Sequence, residues 1–303
     1  MRLNKLQEEI VRIKEKKNAV ILAHNYQIPE IQEVADFIGD SLELAREAMK
    51  IKADLIVFCG VDFMAETAAI LNPDKKVVVP TTEAKCPMAE QLPAEMVKDV
   101  KRKYPDIPFV IYVNSYATAK AEADICCTSA NVAKVVEKID SDTVFLGPDA
   151  NLAWFAKNRT GKNVIPVPSN GYCYVHKMFT VDHIYKARKN YPDAVIIVHP
   201  ECDPDVQKLA DYIGSTSQMI EFVRKCDYDR IVVGTEIGLI ERMRREFPEK
   251  EFIPLCEAIC ESMKLNNLEN LLNALKYEHN VIKLPEDVME RARKTIKRMI
   301  DLL

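Results

Sequence analysis

Apolar runs recur along this chain, with polar stretches of helical period between them. Val20-Ile21-Leu22-Ala23-His24, Val110-Ile111-Tyr112-Val113-Asn114 and Val195-Ile196-Ile197-Val198-His199 each end in a polar residue able to bind a ligand. Near-continuous apolar runs mark strands of a parallel sheet whose two faces are covered by helices. An Ala-Asp pair follows each run: Ala35-Asp36, Ala123-Asp124 and Ala210-Asp211. Five residues after each aspartate stands a hydroxyl: Ser41, Ser129 and Thr216. A second run then ends in glycine and an acid, as Gly60-Val61-Asp62, Gly147-Pro148-Asp149 and Gly234-Thr235-Glu236. A third run (Val77-Val78-Val79, Val164-Ile165-Pro166-Val167, Phe252-Ile253-Pro254) leads to Cys86, Cys173 and Cys260, which are 87 residues apart in both intervals. Self-similarity at a fixed period decides architecture before any local motif does. The pattern predicts one α/β unit repeated three times, each copy delivering one thiol.

Helices are predicted after each glycine-acid turn, over about 62–71, 149–157 and 236–246, with the acid capping the first turn. Charge-rich amphipathic helices open the chain over 5–17 and close it over 285–302, the last introduced by Leu284-Pro285-Glu286-Asp287. The boundaries follow the repeat: 1–95 for the first copy with its N-terminal helix, 96–180 for the second, 181–270 for the third, and 271–303 for a C-terminal extension and helix. Strands alternating with helices and short linkers make this an α/β protein with parallel sheets.

Composition narrows the partners. The chain has 303 residues, 48% of them hydrophobic, and a net charge of −4 from 42 basic and 46 acidic side chains. That balance offers no electrostatic footprint for nucleic acid or an anionic membrane. The start reads as an amphipathic helix (Leu3, Leu6, Ile10, Ile13) rather than a signal peptide, and no long apolar run suits a membrane span. A cytoplasmic protein is expected. Nine cysteines without an export signal suggest metal or catalysis more than a disulfide framework. Cys59, Cys126, Cys127 and Cys226 read as small core residues.

Ligands of open parallel sheets bind outside the carboxyl ends of the strands. His24, Asn114 and His199 are expected there at equivalent strand ends. Tyr112 lies two residues before Asn114 and either lines the same cavity or packs in the core. Ser41, Ser129, and Ser215 with Thr216 precede helical patterns, where they can cap and where free N–H groups also favour anions. Three such starts suit a small substrate with several carboxylates or a phosphate. No Walker loop or dinucleotide glycine motif is present. Three thiolates can hold three irons of a [4Fe-4S] cluster and leave the fourth open as a Lewis acid. The competing reading is zinc, with Cys173-x2-His176, Cys86 and Cys260 as a closed structural site.

These residues resemble the quinolinate synthase family, the A protein of the bacterial and archaeal NAD pathway. The resemblance runs over nearly the whole chain. It rests on Ile21-Leu22-Ala23-His24-Asn25-Tyr26-Gln27, Gly39-Asp40-Ser41, Gly60-Val61-Asp62-Phe63-Met64-Ala65-Glu66, Tyr112-Val113-Asn114-Ser115, Thr128-Ser129-Ala130-Asn131, His199-Pro200-Glu201-Cys202 and Gly214-Ser215-Thr216. It implies three quasi-equivalent three-layer α/β/α domains around a pseudo-threefold axis. It implies condensation of iminoaspartate with dihydroxyacetone phosphate to quinolinate, with loss of phosphate and two waters. By the same resemblance Cys86, Cys173 and Cys260 match [4Fe-4S] ligands, and His24, Tyr26, Tyr112, Asn114 and Glu201 match active-site positions. Ser41, Ser129, His199, Ser215 and Thr216 match positions that hold substrate carboxylates or phosphate. Cys256 is a nearby thiol off the repeat position, either an adventitious ligand or a core residue. Tyr172 stands where the family's pattern before the second cysteine has histidine, and the cysteine itself is in place.

The resemblance also points to functional coupling with an enzyme that makes the unstable iminoaspartate. Glu201 and Tyr26, with His24, are the candidates for proton transfer. Two readings of other classes stand beside this one: a non-catalytic dicarboxylate-binding protein with a zinc clasp, and a lysine Schiff-base lyase. No lysine stands at a repeat-equivalent strand end, which counts against the last.

Overall fold

Every one of the nine apolar runs becomes a strand, and three further short strands join them. The computed structural model describes residues 3–50 and 52–302, so Met1, Arg2, Ile51 and Leu303 lie outside the described residues. The first copy holds β1 (Ala19–His24), β2 (Phe37–Gly39), β3 (Leu55–Cys59) and β4 (Lys76–Val78). The second holds β5 (Phe109–Tyr112), β6 (Ile125–Cys127), β7 (Thr143–Gly147) and β8 (Asn163–Pro166). The third holds β9 (Val195–Val198), β10 (Tyr212–Ile213), β11 (Arg230–Gly234) and β12 (Glu251–Pro254). Each set forms one sheet, ordered β2-β1-β3-β4, β6-β5-β7-β8 and β10-β9-β11-β12. Every strand pair within these sheets is parallel. The fold is α/β, three four-stranded parallel sheets flanked by helices, as the periodicity predicts.

Register proves the repetition more strictly than sequence does. Leu22 pairs with Phe37, Val110 with Ile125 and Ile197 with Tyr212, the same separation in each copy. Ala19 with Leu55, Phe109 with Phe145 and Val195 with Ile231 repeat a second common separation. The Ala-Asp pairs have a mechanical role. Asp36, Asp124 and Asp211 accept through Oδ2 from the N–H of Ile21, Phe109 and Ile196, each at 2.8 Å. Through Oδ1 they take Lys14, Lys101 and Arg188 at 2.7, 2.6 and 2.7 Å. Each aspartate therefore ties the first strand of its copy to the helix before it.

These bonds make Ile21, Phe109 and Ile196 equivalent, and two sequence expectations change. Three residues further on stand His24, Tyr112 and His199, so Tyr112, not Asn114, shares the strand-end place of the histidines. Asn114 instead shares its place with Tyr26 and Glu201. The apolar run of the second copy continues through Val113 after β5 has ended at Tyr112, so its polar end does not mark the end of the strand. The glycine-acid turns shift likewise. Cys59 stands opposite Ala23, where Gly147 faces Ile111 and Gly234 faces Val198. Asp149 and Glu236 cap their helices, accepting from Leu152 N and Gly238 N at 2.6 and 2.7 Å. Asp62 is already inside its helix, behind Val61 as the N-cap. The first copy carries one more residue between strand end and cysteine, so equal spacing in sequence is unequal in register.

The chain divides into two compact units: the described residues up to Cys86 with Cys260–Glu290, and Pro87–Ile259 with the described residues from Arg291 onward. In the first, helices Lys5–Lys16 and Leu268–Tyr277 bury Ile10, Ile13, Leu271 and Leu275 around Ile21, Ala23, Val57 and Cys59. In the second, Thr295 Oγ1 lies within hydrogen-bonding distance of the carbonyls of Lys120 and Ala123, at 3.0 and 3.4 Å. Arg291 meets Glu122 there at 2.6 Å. No helix among the described residues is long and apolar enough to cross a membrane.

Candidate active site

The loops after the first strands carry the chemistry. In the larger unit, β5 ends at Tyr112 and β9 leads into His199, and both residues are buried. Tyr112 donates its phenol to Glu201 Oε1 at 2.7 Å, and Asn114 Nδ2 reaches the same oxygen at 3.3 Å. His176 Nδ1 lies 2.8 Å from Glu201 Oε2, and His199 Nδ1 lies 3.9 Å from it. The two imidazoles stack with centroids 4.6 Å apart. His176 Nε2 bonds Thr235 Oγ1 at 3.0 Å, which fixes the ring's orientation. Asn151 Nδ2 donates to the Glu201 carbonyl at 2.9 Å, holding the loop from behind.

Burial and charge set the protonation states. Burial pushes the Glu201 carboxyl up. The charges of His199 and His176, with hydrogen bonds from His176 and Tyr112, outweigh it and bring the group down to about 2. Glu201 is therefore a carboxylate at neutral pH. Burial, then the Glu201 charge, raises Tyr112 well above the ordinary phenol, so it stays a neutral donor even with the Ser129 hydroxyl beside it. Burial and Glu201 also raise Asp149 far above the carboxylate range, against the backbone N–H groups of Leu152, Cys173 and Asn151.

Three buried polar atoms of the second copy, Asn114 Oδ1, Thr128 Oγ1 and Asn131 Nδ2, have no hydrogen-bond partner among the described residues. Buried polar groups are normally satisfied, so each of these atoms is available to a ligand. Tyr112, Asn114, Ser129, His199 and Glu201, all named from the sequence, lie beside one another in the structure. Sequence reasoning used His176 only as a zinc ligand and Asp149 only as a cap. The signal for His176 was its place three residues after a repeat cysteine.

The predicted helix starts fall differently in the three copies. Asp40 accepts from Glu43 N at 2.9 Å, and Ser215 accepts from Gln218 N at 3.3 Å. Ser215 caps as expected. Ser41 and Thr216 are first helical residues instead, and Ser129 lies in the turn before the helix Val132–Lys138.

The smaller unit holds His24, Tyr26, Ser41, Cys86 and Cys260. His24 is buried at the end of β1, and Tyr26 sets its ring edge-on to it at 4.6 Å. His24 Nδ1 accepts from Tyr26 N at 3.2 Å, and His199 Nδ1 accepts from Glu201 N at 3.3 Å. The same turn is thus built in both copies, placing the ring proton on Nε2 when the ring is neutral. Lys264 and Gln27 brace this loop through Tyr26 O and Met263 O at 2.6 and 3.1 Å.

The repeat cysteines occupy equivalent positions. The N–H groups of Asp62, Ala150 and Ile237 open their helices and donate to the carbonyls of Ala84, Gly171 and Ala258 at 2.9, 2.8 and 3.0 Å. Each carbonyl lies two residues before Cys86, Cys173 or Cys260. At Gly171 the approach is so close that a Cβ would stand 1.9 Å from Pro148 O. All three thiols are half-buried, whereas Cys59, Cys126, Cys127 and Cys202 are core. Cys226, expected in the core, is half-buried: it follows the exposed end of the helix Thr216–Lys225. Cys256 is also half-buried, and its thiol lies 3.9 Å from Met178 O. A half-buried thiol on an anchored loop has the chemistry of an iron–sulfur ligand. The donor atoms of Cys173, His176 and Glu201 lie within 4.8 Å of one another, a grouping able to hold a metal ion.

A buried acid–base cluster at the carboxyl ends of parallel strands, without a basic surface, is the arrangement of an α/β enzyme of small-molecule chemistry. Its family follows from comparison. The chain matches the family described as Quinolinate synthetase A protein over residues 8–301, and it belongs to that family. A relative from Methanothermobacter thermautotrophicus, named quinolinate synthase, is 53% identical over 299 residues, covering 98% of both chains. Relatives of the same name from Pyrococcus horikoshii and Thermotoga maritima are 53% and 51% identical, each covering 98% of this chain and 99% of its own.

Proposed function

We propose that this chain is a cytoplasmic quinolinate synthase, condensing iminoaspartate with dihydroxyacetone phosphate and releasing phosphate and two waters. The carrying observation is the buried Tyr112–Glu201–Asn114 contact, with Asn114 Oδ1 left for a ligand. Glu201, ionised at neutral pH, accepts protons from substrate carbon or nitrogen. Tyr112, neutral, donates to a developing oxyanion or leaving hydroxyl. Tyr26 and His24 are proposed as further proton carriers. Ser41, Ser129, His199, Ser215 and Thr216 are proposed to hold carboxylates and phosphate, fixing orientation. An enzyme that makes iminoaspartate must act beside this one, because the imine hydrolyses.

Cys86, Cys173 and Cys260 are proposed to hold a [4Fe-4S] cluster, supported by their equivalent, half-buried positions. When bound, the cluster supplies a Lewis-acidic iron for a hydroxyl or carboxylate. The test is made on anaerobically purified protein. Glu201→Gln is expected to keep its iron and sulfide while quinolinate formation falls by roughly 10²-fold. Near-normal turnover would remove Glu201 from proton transfer. Among Cys86→Ala, Cys173→Ala, Cys256→Ala and Cys260→Ala, only the Cys256 variant is expected to keep a full complement of iron and sulfide. The grouping of Cys173, His176 and Glu201 favours one other occupant, a single zinc ion. Zinc-loaded protein is colourless and the cluster is brown, so the spectrum separates them.

A further inference from the structure

Eleven residues after the amides held by Asp36, Asp124 and Asp211 stand Gln32, Lys120 and Gln207. All three are buried. Gln32 Nε2 donates to the carbonyls of Asn25 and Gln27 at 3.1 and 2.8 Å. Gln207 Nε2 donates to those of Pro200 and Cys202 at 2.8 and 2.7 Å. Each glutamine spends its two amide hydrogens on the two carbonyls flanking one site residue, Tyr26 in the first copy and Glu201 in the third. The equivalent loop of the second copy carries Asn114. There Lys120 Nζ donates to Ser115 O at 2.5 Å, the carbonyl that matches those of Gln27 and Cys202. Ser115 Oγ in turn donates to Tyr112 O at 2.7 Å. Thr295 holds the Lys120 carbonyl from the other side.

We propose that Lys120 is a positioning residue: its buried Nζ clamps the loop Val113–Tyr116 so that Tyr112 and Asn114 meet Glu201. The glutamines of the sister copies do this by neutral hydrogen bonds. The lysine does it through its Nζ, 2.5 Å from Ser115 O. Lys120 is wholly buried and acts through the loop it holds, not by touching substrate. The kinetic part of the inference rests on the proposed activity, and the structural part does not.

The experiment compares Lys120→Met and Lys120→Gln in the full chain, reading amide exchange and kcat/KM for dihydroxyacetone phosphate. Lys120→Met is expected to speed exchange of the amides of Val113–Tyr116 by about tenfold or more, with the helix Ala150–Thr160 unchanged. It is expected to lower kcat/KM by at least about tenfold. Lys120→Gln, the sister residue, is expected to bring both back to within about threefold of wild type. A Lys120→Met protein indistinguishable from wild type overturns the clamp. So does a Lys120→Gln protein as impaired as Lys120→Met, since a shared hydrogen-bonding role would then be wrong. If Lys120→Met fails to fold, Lys120→Gln decides alone: a protected loop supports the clamp and a loosened one overturns it. If the wild type makes no quinolinate, the functional reading fails, and loop exchange still decides the clamp.

Discussion

Glu201 and Asp149 are buried carboxyls of the same unit whose surroundings drive them in opposite directions. Such a split separates a resting base from a resting acid. The consequence for stability can be signed. Glu201 falls from the usual 4.5 to about 2 on folding, so its contribution is fully present above about pH 4.5 and is lost as pH drops through about 2. Urea unfolding of the wild type is expected to weaken across that window. Glu201→Gln, with no carboxyl to protonate, should show a flatter profile there. Parallel profiles would mean that Glu201 is not the depressed group. At this scale the sequence named Tyr112, Asn114, His199 and Glu201. It offered His176 only as a zinc ligand, because the contact of His176 with Glu201 joins residues from separate elements and no spacing rule records that.

At the scale of the element, the aspartate of the Ala-Asp pair closes each crossover. It satisfies a buried strand N–H and pairs with a cation from the preceding helix. Removing it leaves the buried amide unsatisfied, at a cost of about 2 kcal/mol. Asp36→Ala, Asp124→Ala and Asp211→Ala are expected to lose about that much each by denaturant unfolding, and to agree within about 1 kcal/mol. A large loss in one copy alone would show that the three crossovers are not the same device. The sequence displayed these pairs as markers of repetition. Their bonds, and the equivalence of Tyr112 with the two histidines, needed the register, because an apolar run does not announce where its strand stops.

At the scale of the molecule, the end of the chain supports its middle. Residues from Arg291 onward bury Ala292, Ile296 and Met299 and hold the carbonyls of Lys120 and Ala123 through Thr295. They thereby support the lysine proposed to clamp the Asn114 loop. Deleting residues 291–303 is expected to lower the melting temperature by several degrees and to raise amide exchange over 113–124. An unchanged exchange pattern there would show that this helix is dispensable to the second copy.

Sequence alone determined the α/β class, the triplication and the three equivalent cysteines. Apolar runs, Ala-Asp pairs and thiols are written in the chain at intervals that parallel strands and their crossovers impose. The tertiary structure decided which residues are true equivalents. It placed His176 and Asp149 around Glu201 and set the opposed protonation of the two carboxyls. Those outcomes depend on strand pairing and on burial, which arise only when segments remote in sequence pack together and exclude water.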